Sequence, residues 1–157
     1  MQKAFLKSIQ LHQKIIHKVS RLYRDTREDQ QDLFQEIVYQ LWKSFPEFRG
    51  DSKVSTWIYR IALNTAIASF RKPKILTTQF ESIPDQFYQN EEAGISENEE
   101  RLYAALRQLN DSEKAIISLF LEDYSYQEIA AITGITENYV GVKMSRIKEK
   151  LKLILKK

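Results

Sequence analysis

The stretch Tyr124–Leu155 constrains the fold of this chain more than any other part of its sequence. Ser125 and Glu128 have the Ser-x-x-Glu spacing of a capping box, which predicts a helix that begins just after the serine. Gly134 follows at the helix end, where a residue without a Cβ atom adopts the left-handed conformation freely. Thr136 can cap a second helix, so the pattern predicts a helix-turn-helix.

The second predicted helix has one apolar side and one polar, basic side. Apolar residues recur at steps of four, three, four and three, at Val140, Met144, Ile147, Leu151 and Ile154. The opposite side carries Asn138, Gly141, Ser145, Lys148 and Lys152. After Glu137 the chain holds seven Lys or Arg and one acid, Glu149, and this excess of cations suits DNA phosphates. A plain helical hairpin would explain the capping and the glycine, but not the excess of cations.

Composition excludes several function classes. The 157 residues include no cysteine, which excludes disulfides and thiolate zinc sites. His12 and His17 are five residues apart and would lie on different faces of a helix, so we expect no metal site. Without a glycine-rich phosphate loop or an acid/base constellation, we expect neither a cofactor nor enzymatic activity.

Membrane insertion and sheet structure are also not expected. No apolar run is long enough to span a bilayer, and no signal peptide opens the chain, so we expect a cytoplasmic protein. Four glycines, three prolines and long stretches of helical periodicity predict an all-α fold.

Charge falls into three blocks along the chain. Residues 1–75 hold 14 Lys or Arg and seven acids, residues 76–100 hold seven acids and no Lys or Arg, and residues 101–157 hold ten and seven. The basic blocks indicate nucleic-acid binding. Residues 74–95 lack helical periodicity and overlap the acidic block, which predicts a flexible acidic linker. We therefore expect two small helical domains, 1–73 and 96–157.

Three helices are predicted in the N-terminal half. The first spans about Lys3 to Tyr23, and the second spans about Arg27 to Ser44 behind a cap at Asp25 or Thr26. A loop at residues 48–53 leads to the third helix, which is capped by Asp51 or Ser52 and runs to about Lys72, before Pro73. Its predicted inner face consists of Val54, Trp57, Ile58, Ile61, Thr65 and Ala68, and a mostly polar face consists of Thr56, Arg60, Asn64, Ile67 and Arg71.

Two further helices are predicted before the helix-turn-helix. Ser96 and Glu99 have capping-box spacing, and the helix that they open would run to about Leu109. Asp111 is the predicted cap of the next helix, whose apolar surface would come from residues 116–120.

Three stretches of this sequence resemble the bacterial sigma-70 family of RNA polymerase initiation factors. Asp32-Leu33-Phe34-Gln35-Glu36 with Trp42, and the segment from Phe48-Arg49-Gly50-Asp51-Ser52 through Trp57 to Asn64, resemble region 2 of that family. Tyr124–Leu151 resembles region 4. The order of region 2, linker and region 4 is that of the short extracytoplasmic-function (ECF) type, and the resemblance covers nearly the whole chain.

The resemblance implies a sigma factor that brings core RNA polymerase to promoter DNA. Residues 1–73 would bind the clamp helices of the largest polymerase subunit, through Asp32, Gln35 and Glu36. Residues 96–157 would read the −35 element and contact the flap of the second-largest subunit. The acidic linker would thread the basic cleft and RNA exit path as a nucleic-acid mimic, and an anti-sigma factor would be a further partner.

The resemblance also implies two DNA-reading surfaces. The −10 element would be read on the non-template strand, with a base flipped into a pocket beside the 48–53 loop. The matching residues are Phe48, Arg49, Asp51, Ser52, Lys53, Thr56, Trp57, Arg60, Asn64 and Arg71. The helix after Thr136 would enter the major groove of the −35 element. The residues expected there are Ser125, Gln127, Thr136, Glu137, Asn138, Tyr139, Gly141, Lys143, Ser145 and Arg146.

Two positions depart from the family pattern. Larger members carry two adjacent tryptophans as a melting wedge, whereas this chain has Trp57-Ile58, so we expect melting to depend more on sequence-specific capture. Gly141 and Val142 stand where many relatives have a basic residue and a serine. Gly141 either allows close backbone approach to DNA or is a neutral variation.

Two other functions fit parts of the sequence. A transcription regulator of the response-regulator type would share Leu109–Leu151, but its receiver domain needs alternating strands and helices, and this N-terminal half is predicted all-helical. A helical protein-interaction module without DNA contact is the third reading, which DNA-binding measurements would test.

Overall fold

Helices dominate the computed structural model, which describes residues 2–48, 50, 53–68 and 96–156. Within these residues there is no strand, and the all-α prediction is confirmed. The helices are α1 (Gln2–Tyr23), α2 (Arg27–Ser44), a short 3-10 helix (Phe45–Glu47), α3 (Val54–Ala68), α4 (Glu97–Leu106), α5 (Asp111–Leu121), α6 (Tyr126–Thr133) and α7 (Glu137–Leu155). They fall into two compact units, Met1–Ile95 and Ser96–Lys157.

In the N-terminal unit, α1, α2 and α3 pack against one another in all three pairs. Each helix buries large aliphatic or aromatic side chains, including Phe5, Ile16, Phe34, Ile37, Leu41 and Ile58. Thr26 is the residue that caps α2, since its hydroxyl accepts the Asp29 N–H. Burial of this apolar surface from all three helices is what holds them together.

The inner face predicted for α3 is partly wrong. Ile58 and Thr65 are buried, but Val54, Trp57 and Ile61 are half-buried and Ala68 is exposed. The residues buried in addition are Tyr59, Ala62, Leu63 and Ala66. Because α3 packs on both α1 and α2, it buries a wider sector than a single stripe.

Helix α1 contains a kink at His12, where φ is −120° and ψ is 18°. The imidazole Nδ1 lies 3.0 Å from the Ser8 carbonyl oxygen, and since a carbonyl only accepts, Nδ1 carries the proton. His17 is buried, and its ring centroid lies 4.5 Å from that of Phe34. His12 therefore bonds to the backbone of its own helix, and His17 packs in the core.

In the C-terminal unit, α7 packs on α4, α5 and α6. The core contains Leu106, Leu109, Ile116, Leu119, Ile129, Val140, Met144 and Ile147. Two details differ from prediction: α4 ends at Leu106, and the cap of α5 is Asn110 rather than Asp111. The Asn110 side chain accepts the Glu113 N–H, while Asp111 is already helical.

Several predictions fall outside the described residues. They are the acidic linker at 74–95, the caps at Asp51 or Ser52, and the end of the third helix near Lys72. Across the described ranges, no helix is long and apolar enough to cross a membrane. The same ranges contain no cluster of three or more His, Asp or Glu side chains that could hold a metal ion.

Candidate polymerase and nucleic-acid interface

The polar side of α2 carries the three residues expected to bind the polymerase. Gln35 is exposed, while Asp32 and Glu36 are half-buried. The Gln40 amide donates a hydrogen bond of 3.2 Å to the Glu36 carboxylate, which orients that carboxylate along the helix surface. The neighbouring Leu33, Phe34 and Ile37 point into the core, so the three polar residues share the outer side.

The polar side of α3 lies on the outside of the same unit. Lys53, Arg60 and Asn64 are exposed and Thr56 is half-buried. No acid occurs between residues 52 and 80, so nothing in α3 itself neutralises Arg60. Arg49, Asp51, Ser52 and Arg71, which belong to the same predicted surface, lie outside the described residues.

Trp57 packs into an aromatic cluster. Its ring centroid lies 4.8 Å from that of Phe48 and 6.3 Å from that of Phe45. Phe45 in turn meets Phe5 edge-on at 5.3 Å, and Phe5 meets Trp42 at 5.1 Å. The sequence pattern did not connect these aromatics, because they come from α1, α2, the 3-10 helix and α3. Trp57 therefore anchors the start of the 48–53 loop, and Ile58 is a fully buried core residue.

Arg24 joins all three helices of the N-terminal unit, which the sequence did not indicate. Its guanidinium donates to the carbonyl oxygens of Tyr23 at 2.9 Å and Ala66 at 3.3 Å. The Gln30 amide donates to the Arg24 carbonyl oxygen at 3.0 Å. These bonds fix the end of α1 and the start of α2 against the turn of α3 that carries Asn64.

The helix-turn-helix is built by the caps that the sequence predicts. Ser125 and Glu128 form a reciprocal capping box at the start of α6. Gly134 ends α6 with φ of +83°, and the Thr136 hydroxyl accepts the Tyr139 N–H at 3.1 Å. The Ser125 and Thr136 side chains thus hold the backbone. The side chains that remain exposed at this end of the motif are Gln127, Glu137, Asn138, Tyr139, Ser145 and Arg146.

Lys143 and Lys150 both tie α7 to the start of α5. The Lys143 ammonium donates to the Ser112 hydroxyl at 2.7 Å and lies 5.4 Å from the Tyr139 ring centroid. The Lys150 ammonium donates to the Glu113 carboxylate at 2.6 Å. Arg146 is exposed and lines the same groove beside Glu113. Of these three cations, Lys143 is half-buried, while Arg146 and Lys150 are exposed, and Lys150 is engaged by the Glu113 carboxylate.

Glu113 is a buried carboxylate that is hydrogen-bonded both to the cap of α5 and to α7. Burial raises the pKa of its carboxyl, but hydrogen bonds from Lys150 and the Asn110 N–H, with the charges of Lys150 and Lys143, outweigh burial and leave the pKa below its ordinary value. The carboxylate is therefore ionised at neutral pH and fixes the start of α5 to α7.

Gly141 faces the inside of the helix-turn-helix. A Cβ atom at this position would meet the Tyr126 ring at 3.7 Å, an ordinary van der Waals distance. The side-chain direction of Gly141 therefore points at α6, and its half-buried backbone belongs to the packing between α6 and α7.

Two family models match this chain, one in each compact unit. The model described as Sigma-70 region 2 matches residues 9–74, and the model described as Sigma-70, region 4 matches residues 99–151. Together they cover most of the sequence, in the order expected.

Curated proteins described as ECF RNA polymerase sigma factors are similar to this chain over most of its length. The ECF RNA polymerase sigma-E factor of Escherichia coli (strain K12) is 32% identical, over 94% of this chain and 84% of that protein. The ECF RNA polymerase sigma factor SigX of Bacillus subtilis (strain 168) is 29% identical, over 86% and 74%.

Solved structures share the fold. The sigma factor RpoE of Bartonella quintana, in complex with the anti-sigma factor NepR, has a TM-score of 0.72 at 19% identity and covers 98% of each chain. CnrH, in complex with the cytosolic domain of CnrY, has a TM-score of 0.68 at 20% identity over 99% of this chain and 90% of that chain.

Proposed function

Because this chain belongs to the sigma-70 family, as an RNA polymerase sigma factor of the ECF type, we propose which polymerase and promoter contacts each of its two helical units makes during initiation. The chain binds core polymerase and directs it to promoters. In our proposal residues 1–73 bind the clamp helices and read the −10 element, residues 74–95 link the units, and residues 96–157 read the −35 element and contact the flap. The observation that carries this division is the match of one sigma region to each compact unit.

The role is that of a non-catalytic subunit acting in the cytoplasm, where polymerase and promoter meet. A response-regulator type of transcription factor is not favoured, since α1, α2 and α3 form a helical unit in which the described residues include no strand. An anti-sigma factor is proposed as a further partner, because the RpoE structure of similar fold is a complex with the anti-sigma factor NepR.

The clamp-binding proposal rests on the outer side of α2. Asp32→Ala combined with Gln35→Ala should weaken binding to core polymerase, with a stability loss within about 0.5 kcal/mol for each change, because both side chains lie off the apolar face. A pull-down with core polymerase and a circular dichroism melt measure the two effects. Gln108→Ala removes an exposed amide from the other unit and serves as the control. Unchanged core binding in a stably folded double variant would remove α2 from the interface.

The two DNA-reading surfaces should fail in different ways. Asn64→Ala should reduce discrimination within the −10 element by roughly 1–3 kcal/mol at one position, because an amide pairs with a base edge in a directed way. Arg146→Ala should weaken binding across promoter sequences and flatten its salt dependence, because an exposed cation meets mainly the phosphate backbone. Transcription from promoter variants, with a salt titration for each holoenzyme, separates these outcomes.

Lys143→Ala needs its own control, since Lys143 also donates to the Ser112 hydroxyl. Ser112→Ala removes that hydrogen bond and keeps the Lys143 charge. A change in salt dependence that occurs only in Lys143→Ala would therefore result from a lost phosphate contact.

Asn64→Ala could also lower transcription from all −10 variants equally and preserve their ranking. Asn64 would then be structural, and the 48–53 loop would remain as the source of −10 specificity.

A further inference from the structure

The outer face of α1 carries a stripe of lysines that the functions above do not use. Lys3, Lys7 and Lys14 are exposed, at steps of four and seven residues, and the kink at His12 lies between Lys7 and Lys14. Because Phe5 and Ile9 before the kink and Ile16 after it are all buried in the core, the three lysines remain on the outer side of α1. Leu11 lies within the same stripe and is 72% exposed. Half-buried Lys18 continues the stripe one turn further. We call Lys3, Lys7, Leu11 and Lys14 the α1 stripe.

No acid balances these lysines within their own helix. The first 24 residues contain no Asp or Glu, whereas α2, of similar length, holds Glu28, Asp29, Asp32 and Glu36. Exposed helices ordinarily alternate the two signs, because pairs of opposite charge three or four residues apart stabilise a helix and like charges at that spacing weaken it. A stripe of one sign gains favourable electrostatic interactions when a polyanion lies along it.

We propose that the α1 stripe is a third DNA-contacting surface, which holds the phosphate backbone of duplex DNA in the initiation complex. This inference rests on the proposed sigma-factor function. Eleven residues of α-helix rise ~16 Å, and the kink at His12 interrupts one residue of the span from Lys3 to Lys14. Over that distance one strand of duplex DNA presents roughly five phosphates. Each lysine offers a point charge rather than the paired planar donors of a guanidinium, so the three lysines contribute mainly affinity and position. Exposed Gln10 lies on the same side of α1, between Lys7 and Lys14, and is the side chain there that could pair with a base edge.

An anionic membrane fits the stripe less well. An interfacial helix needs a broad apolar face to enter the lipid, and the apolar side of α1 is occupied by the core through Phe5, Ile9 and Ile16. Leu11 alone remains outside among these lysines. A polyanion that needs no insertion, such as the DNA backbone, matches the charges that are present.

The test uses holoenzyme assembled from core polymerase and the full chain. Replacing Lys3, Lys7 and Lys14 together by Gln removes three charges, and replacing all three by Arg keeps them. Both residues are good helix formers, so α1 persists in each variant, which circular dichroism checks. Promoter affinity is measured against salt concentration for both triple variants and for the unchanged chain.

Log affinity falls as log salt rises, and we expect the Gln variant to make this negative slope shallower by about two to three units. Between 50 and 200 mM salt, the deficit in its promoter affinity relative to the unchanged chain then shrinks by roughly 15- to 60-fold. The Arg variant should keep the original slope, and the ranking of promoter sequences should be the same in all three holoenzymes.

Three results would overturn the inference. One is an original salt slope in the Gln variant, with core binding and helicity intact. Another is a loss of core-polymerase affinity in place of the slope change, which would make the stripe a protein contact. The third is loss of binding to phosphatidylglycerol vesicles with the DNA slope kept, which would assign the stripe to membranes. If the unchanged holoenzyme did not recognise promoters at all, the proposed function itself would fail instead.

Discussion

At the scale of single residues, the Glu113 carboxylate performs two tasks at once. It accepts the Asn110 N–H at 3.0 Å, which completes the capping box of α5, and it accepts the Lys150 ammonium of α7. A buried carboxylate needs partners of this kind, because burial alone disfavours its charge. One side chain therefore couples the start of α5 to the helix expected to enter the major groove.

Glu113→Gln should lower the free energy of unfolding by about 1–2 kcal/mol at neutral pH, through a weaker cap and a lost ion pair. Since the folded state lowers the pKa of Glu113, the ionised group stabilises the fold above its ordinary pKa, and this contribution disappears as the pH falls through the lowered value. Denaturant titrations at pH 7 and at pH 3 should therefore show a gap between variant and unchanged chain that narrows at the lower pH.

Glu149→Gln provides the control, because it removes one negative charge from an exposed position on α7. Its effect should stay within about 0.5 kcal/mol at either pH. A gap for Glu113→Gln that is equal at both pH values would mean that the ionised carboxylate does not stabilise this junction.

Sequence patterns predict the role of a residue best where the backbone geometry at that position favours few residue types. Ser125, Gly134 and Thr136 were identified correctly, because a cap or a left-handed end demands those side chains. Asn110 and Asp111 are both good caps, and only the extended backbone at Asn110, with ψ of 173°, decides between them. The contact between Glu113 and Lys150 joins residues 37 positions apart, which no local pattern encodes.

At the scale of helices, α3 shows where helical periodicity does not identify the buried face. Its sequence is apolar on most sides, so the pattern fixes that a helix forms but not which face is buried. Packing on two neighbours decided that, and it buried Tyr59, Ala62 and Ala66. The exposed positions of Arg60 and Asn64 followed from the sequence because polar side chains leave only one favourable side.

The two glycines of the helix-turn-helix should respond oppositely to alanine. Gly134→Ala places a Cβ atom at φ of +83°, so we expect it to destabilise the C-terminal unit by about 1 kcal/mol, although nothing lies within 4 Å. Gly141 is helical, and the added Cβ atom meets Tyr126 at a comfortable 3.7 Å. Gly141→Ala should therefore stabilise the unit by up to about 1 kcal/mol.

Thermal melts of both variants measure the stability effects, and binding to the −35 element separates the two readings of Gly141. Normal −35 binding with raised stability marks a neutral variation. Loss of −35 binding from a stabilised Gly141→Ala protein would instead mean that DNA approaches the backbone at Gly141. That outcome would contradict the structure, in which a Cβ atom at Gly141 points at Tyr126 of α6.

At the scale of the whole chain, the two units carry different spectroscopic probes. Both tryptophans, Trp42 and Trp57, lie in the N-terminal unit, and the C-terminal unit has none. Tryptophan fluorescence therefore follows unfolding of the N-terminal unit alone, while far-UV circular dichroism follows the helices of both. This distribution allows a direct test of the prediction, made from the acidic segment at 74–95, that the two domains fold separately.

Ile37→Val and Ile147→Val form a matched pair, since each isoleucine is fully buried in its own unit. Each change should cost about 0.5–1.5 kcal/mol where it is made. If the domains fold separately, Ile37→Val shifts the fluorescence transition, whereas Ile147→Val shifts a circular dichroism transition and leaves fluorescence in place. Limited proteolysis should cut first within residues 74–95 and leave two helical fragments. A fluorescence shift caused by Ile147→Val, together with resistance of residues 74–95 to protease, would show instead that the units unfold as one cooperative body.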